Sequence, residues 1–250
     1  MTTRDFLVSA QVSAPEIARP GASVGARVLG AVRATWAAVG CNTNLGILLL
    51  AAPLAAAAER VGEGDLQARV RAVLSDLTVE DAAQVFEAIR IASPAGLGRA
   101  AKHDVHGAAT VTLLEAMAAA SDRDRIAAQY ANGYADLFDI GVARARALDQ
   151  AGIAPDTLAE SVYLEFLAAF EDSHVARKFG REAAAKLVFR SCGMKLLVES
   201  TVSVFERRRI LAEWDMELKD MGINPGTSAD LTVNSLFASR LEVTIPQVQA

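Results

Sequence analysis

The sequence has 250 residues, of which 52% are hydrophobic and only 6% aromatic, and its formal net charge is −5. That balance describes a compact domain with ample core, and it excludes a general nucleic-acid binder, whose phosphate contacts require a clustered basic face. Cys41 and Cys192 lie far apart and match neither a disulfide framework nor a metal-ligand spacing, which points to a reducing cytoplasm.

In chain order, "MTTRDFLVSA" lacks the basic start and apolar run of a signal peptide. The first polar interruption is Gly40 to Gly46, which places Asn42, Thr43, Asn44 and Gly46 directly before or within the start of the most apolar run, Leu45 to Ala58. This run is shorter than the roughly 18 to 20 apolar residues a spanning helix needs, and it contains Pro53, so it predicts a buried core helix and no membrane partner. One helix start needs one capping side chain. Three polar residues between glycines therefore admit either a cap or an anion contact at the positive end of the helix.

Thr78-Val-Glu-Asp81 predicts a capped helix start, with Val79, Ala82, Val85, Phe86 and Ile89 on one face and Ser93-Pro94 as the stop. The next loop carries Gly96 and Gly98, then His103, Asp104 and His106, which read either as a solvated connection or as a contributor of polar groups; their spacing names no metal. Glu115 stands in the otherwise apolar "TVTLLEAMAAA", where a carboxylate either faces solvent or has a function. "DRDR", Asp122 to Arg125, reads as a helix-start charge cluster. From Asp124 to Leu148 the apolar positions predict one continuous helix, in which Tyr130 and Tyr134 form a core stripe before they offer a stacking surface for adenine.

A helix over Asp156 to Phe170 leads into Glu171 to Gly180, where Asp172, Ser173, His174, Arg177 and Lys178 fall within two helical turns. That group reads as a capped helix start, or as a phosphate site with Asp172 holding a divalent ion. Helices over Arg181 to Glu199 and Val204 to Met221 follow, the second with Phe205, Leu211, Trp214 and Leu218 facing inward and Gly222 as its left-handed stop. Asn224-Pro225-Gly226 then forces a turn, and Thr227, Ser228 and Asp230 crowd the first turn of a last helix. A cap explains one hydroxyl, whereas an acid one turn further on suggests Mg²⁺ bridging a polyphosphate. No Gly-Lys-Ser or Gly-Lys-Thr is present, so this is not a Walker loop. No run has period-two alternation. The predicted fold is all-α, a single compact multi-helix domain over residues 1–242 with polar interhelix loops forming a nucleotide site, and residues 243–250 form a C-terminal tail.

The segments "GCNTNLGILLLAAPLAAA", "PAGLGRAAKHDV", "TVTLLEAM", "DRDRIAAQYANGYADLFDIG", "FEDSHVARKFG" and "GINPGTSADLTVNSLF" resemble, in this order and over nearly the whole chain, the triphosphoribosyl-dephospho-CoA synthase family. The resemblance implies a mainly helical transferase that joins ATP to 3′-dephospho-CoA with loss of adenine. "NTNLG" and "NPGTSADLTV" are more similar to a branch associated with tetrahydromethanopterin genes in methylotrophs, where the acceptor is expected to be a pterin precursor. The family pattern also includes a Pro-Lys-Pro-Gly-Asn-like segment upstream of "TTRDFLVSA" that the given sequence does not contain, and Pro20-Gly21 lies too far along to replace it.

Displacement of adenine from C1 of a ribose passes through an oxocarbenium-like state, which calls for a carboxylate near the sugar, a proton donor for the base and a general base for the incoming hydroxyl. On this reading Asp104, Glu115 and His174 are the acid-base candidates. Asn42, Thr43, Asn44, Gly46, Gly96, Gly98, Ser173, Arg177, Lys178, Asn224, Gly226, Thr227 and Ser228 bind ATP. Asp172 and Asp230 hold Mg²⁺. The expected partners are ATP, a small-molecule acceptor and a second copy in a homodimer. Two other classes stay open at this point: a non-catalytic nucleotide-binding protein, and a hydrolase that uses water as acceptor.

Overall fold

The computed structural model describes residues 1–60, 64–94, 98–99 and 102–244, and no strand occurs among them. A capping box formed by Thr2 and Asp5 starts α1 (Thr3–Ile17). α2 (Val24–Val39) packs against α1 and is fixed by the buried Arg27, which donates to the Ile17 and Ala22 carbonyls and pairs with Glu59 at 2.8 Å. Glu59 closes α3 (Leu45–Glu59), the apolar helix expected in the core, where ten of its fifteen residues are buried. α4 (Leu66–Ser75) and α5 (Val79–Ala92) complete the first half, and the Thr78–Asp81 capping box forms at the predicted place. The α2–α5 contact is close because Gly25 has no side chain: a Cβ there would lie 2.6 Å from the Asp81 Cα.

Pro53 removes an N–H from the middle of α3, which deprives the Leu49 carbonyl of its helical donor and crowds it. Donors come from outside the helix, to this carbonyl and to the next. The Tyr130 hydroxyl donates to Leu49 O at 2.6 Å and the Tyr134 hydroxyl to Leu50 O at 3.1 Å. The two tyrosines are fully enclosed, and burial pushes both phenols well above their usual range, so they remain donors. The tyrosine pair therefore belongs to the core stripe.

α6 (Leu113–Ala118) precedes α7 (Arg125–Asn132). The single helix expected from Asp124 to Leu148 is interrupted: Gly133 and Tyr134 take positive φ, Leu137–Val142 winds as a π-helix, and α8 (Ala143–Gln150) follows. α9 (Pro155–Ala169), α10 (Ser173–Phe179), α11 (Arg181–Ser200) and α12 (Val204–Asp220) surround a second, smaller core of Leu164, Leu167, Val175, Leu187, Trp214 and Leu218. Trp214 and Leu218 face inward as expected, but Phe205 does not; it is 79% exposed at the start of α12. α13 (Gly226–Thr244) threads back between the two halves and packs on α3, α9 and the π-helical segment. There a Cβ on Gly141 would lie 1.9 Å from the Ser235 Oγ. The tail assigned to residues 243–250 is helical through Thr244, and the rest lies outside the described residues. Among the described residues no helix is long and apolar enough to cross a membrane.

Candidate active site

The return of α13 brings its first turn against the starts of α10, α7 and α3. Asp172 caps α10, its Oδ1 accepting from the His174 and Val175 N–H groups, while its Oδ2 accepts from the Ser228 N–H and hydroxyl, both at 2.8 Å. A carboxylate has about four acceptor positions, and these four donors fill them. Asp172 is 1% exposed and acts as a clamp between α10 and α13. This leaves no lone pair for the Mg²⁺ that the sequence reading assigned to it.

A second layer of bonds joins the same helices. Ser173 Oγ and Thr227 Oγ1 lie 3.0 Å apart, Thr227 Oγ1 accepts from the His174 N–H, and Ser173 Oγ accepts from the Arg125 N–H at the start of α7. Asp124 caps α7 through Oδ1, as the helix-start reading expects, and its Oδ2 accepts from Arg177 of α10. Sequence reasoning had not placed Asp124 in the site.

Gly226 is required where His174 approaches, since a Cβ there would sit 2.8 Å from the imidazole Nδ1. His174 is half-buried, and its pKa is lowered by burial first and by the Arg177 charge second, so the ring favours its neutral form. Asp230, one turn along α13, faces the start of α3. A Cβ on Gly46 would lie 2.0 Å from Asp230 Oδ2, and the Ile47 N–H bonds the carboxylate. Desolvation, reinforced by the neighbouring Asp172 and Asp124 charges, raises the Asp230 pKa well above the usual carboxylate range, and Arg177 offsets only part of this. Asn234, a turn further on, is fully buried. Its Nδ2 donates to Asp230 O at 2.8 Å and Ile47 O at 3.2 Å, and its Oδ1 has no partner among the described residues. Asn234 was missed, although its i+4 spacing from Asp230 was a signal in the sequence.

The remaining expected residues distribute differently. Asn42 Oδ1 accepts from the Leu45 N–H at the start of α3. Thr43 and Asn44 are buried: Thr43 donates to Ser9 Oγ, and Asn44 donates to Ser13 and Thr35 hydroxyls, tying α1 and α2 together. Both side chains are thus engaged within the fold. Glu115 is exposed and completes a capping box with Thr112, whose N–H and hydroxyl lower its pKa; it serves the start of α6. Asp104 forms a turn by accepting from the His106 N–H. Neither acid is bonded into the Asp172–Asp230 cluster by these contacts. Lys178 donates to Gly222 O at 3.2 Å, and Asn224 O accepts from the Gly226 N–H within the turn. Gly98 is exposed with φ of +63°, and Gly96 lies outside the described residues.

Among the described residues no group of three or more His, Cys, Asp or Glu side chains forms a metal cage. A cavity of about 310 Å³ lies apart from the cluster, lined by Arg144, Glu160, Arg207 and Arg208 among others, and none of its lining residues belongs to the site described above.

The residues of these contacts run along the chain from Gly46 through Asp124 and Asp172 to Asp230. The family model of ATP:dephospho-CoA triphosphoribosyl transferases matches residues 1–248. The chain belongs to this family. A crystal structure from Archaeoglobus fulgidus, provisionally described as a triphosphoribosyl-dephospho-CoA synthase, is similar to it with a TM-score of 0.71 and 26% identity, over 95% of this chain and 98% of the other. Among curated proteins no relative matches the chain. As a member of the triphosphoribosyl transferase family the protein is a transferase enzyme, and the all-α architecture is that of its structural relative.

Proposed function

We propose that this transferase moves the triphosphoribosyl group of ATP onto a ribose hydroxyl of 3′-dephospho-CoA with release of adenine, and that the reaction takes place at the His174–Asp230 cluster. The observation that carries the reading is the convergence of the α3 and α13 starts, with Arg177 and Lys178 beside them, around an acid held in an unfavourable charge state. The two cations and the positive ends of the converging helices suit a triphosphate.

The residues fit Mg²⁺ at Asp230 and not at Asp172. Asp230 is desolvated among like charges, an excess that a cation would neutralise, and a Mg²⁺ ion commonly uses one or two carboxylates together with substrate phosphates. When bound there, the ion would offset the charge of the triphosphate. Arg177 and Lys178 orient the phosphates from α10. The C1′–N9 bond breaks with its electron pair going to adenine, which takes up one proton and leaves neutral, while the acceptor oxygen bonds C1′ and its hydroxyl gives one proton up. His174, held neutral by burial and by Arg177, accepts the proton of the acceptor hydroxyl. Gly226 leaves the space in which the imidazole reaches the acceptor.

The test is chromatography and mass spectrometry of reactions containing Mg·ATP with dephospho-CoA, with a dihydropterin-ribitol precursor, or with no acceptor. Adenine together with a triphosphoribosyl adduct only in the first reaction supports the proposal. Pterin-dependent release moves the acceptor to the cofactor branch, acceptor-free release identifies a hydrolase, and nucleotide binding without adenine in any arm identifies a non-catalytic relative.

A further inference from the structure

α11 (Arg181–Ser200) carries large apolar side chains on two opposite sides. Ala184, Leu187, Ser191 and Val198 are buried against the smaller core, yet the opposite side carries Phe189 at 82% exposure, Leu196 at 68% and Leu197 at 47%. With Ala185, Cys192 and Gly193, all exposed, they form a stripe at the three- and four-residue spacing of a helix-packing seam. Beyond the end of α11, Val202 and Phe205 are also exposed, at 90% and 79%. A patch of this kind marks an interaction surface.

The stripe is self-complementary, and this identifies its occupant. A two-fold axis passing beside α11 at the level of Cys192 and Gly193 sets Phe189 against the partner's Leu196. It also sets Lys186 against the partner's Glu199. Small residues stand at the crossing point, where two helix backbones come closest, and large apolar ones flank it on both sides. The outer charges are of opposite sign, and symmetry counts each contact twice. Among the described residues Lys186 pairs with the exposed Glu182 at 2.7 Å, and Glu199 is held by Arg144 at 2.8 Å with 41% of its side chain exposed.

We propose that this face of α11 is an antiparallel two-fold interface with a second copy of the same chain, and that Cys192 lies beside the axis. Sedimentation and light scattering at micromolar concentration should give twice the chain mass for the wild type. Leu196→Glu should give a single chain mass with an unchanged circular dichroism spectrum and melting temperature. Lys186→Glu should weaken the dimer by about tenfold, because two like-charge contacts replace two attractive ones. The double variant Lys186→Glu/Glu199→Lys should restore it. In Cys41→Ser protein, mild oxidation should produce a covalent dimer through Cys192, and Cys192→Ser protein should not cross-link. A wild type of single chain mass overturns the proposal, as does a Leu196→Glu protein that stays dimeric or a charge swap that fails to restore association.

Discussion

Asp230 and Gly46, brought together from opposite ends of the chain, approach so closely that a methyl group on Gly46 would stand 2.0 Å from the Asp230 Oδ2. The contact sets the position of the acid against the start of α3. Gly46→Ala should therefore leave α3 intact, since alanine favours helix, while it displaces the Asp230 carboxylate. The expected loss in adenine release is about 10²-fold, the usual effect of a displacement near 1 Å at a reacting centre. Kinetics together with far-ultraviolet circular dichroism check this: unchanged helicity with lost turnover is the expected pair of results.

The Asp172 clamp gives a prediction of stability. Asp172→Asn replaces an acceptor oxygen with an N–H₂ group facing the Ser228 and α10 donors, inside a site 1% exposed. Denaturant unfolding should show a loss of about 3 kcal/mol, the size expected when a buried, fully bonded carboxylate network is broken.

The capping boxes at Thr2, Thr78 and Thr112 are written in local spacing, and so is the turn before α13. At Glu115 the same spacing marked a cap, and the family resemblance gave it a chemical role instead. Thr43 and Asn44 look identical to ligand-binding residues in sequence; what turns them inward is Ser9, Ser13 and Thr35 on α1 and α2, and such partners are visible only after packing. Asp124 reads in sequence as part of a helix-start charge cluster, and its contact to Arg177 depends on the meeting of two distant helix starts. The break at Gly133-Tyr134 was hidden because its apolar spacing survives the change of backbone conformation.

Tyr130 and Pro53 should be energetically coupled. Tyr130→Phe leaves the Leu49 carbonyl unpaired in the core, with an expected cost of about 1–3 kcal/mol. In a Pro53→Ala background residue 53 regains an N–H for that carbonyl, so the same substitution should cost less. A double-mutant cycle by urea unfolding measures the difference; strictly additive effects would contradict the repair of α3 by Tyr130.

As the proposed base, His174 should set the acid side of the pH profile. Its folded pKa is lowered, so between that value and the ordinary imidazole range the unfolded chain binds more protons than the folded one. The contribution to stability is present above the ordinary imidazole pKa and is lost as pH falls toward the folded value. Turnover should keep its neutral base to a lower pH than a free imidazole allows. His174→Gln should reduce turnover by about 10²- to 10⁴-fold, the range for loss of a general base, and should remove that limb of the profile.

The most direct measurement compares Asp230→Asn with wild type for adenine release and for melting temperature of the ligand-free protein across pH. The Asp230 pKa is raised in the folded state, so the stability it confers is complete below the ordinary carboxylate pKa and is lost as pH rises through the folded value. The substitution removes this penalty. The account predicts a higher melting temperature than wild type at neutral pH, a gain that shrinks as pH falls toward the carboxylate range, and adenine release from Mg·ATP reduced by at least about 10²-fold. Turnover within a few-fold of wild type would contradict the placement of the reaction at this cluster.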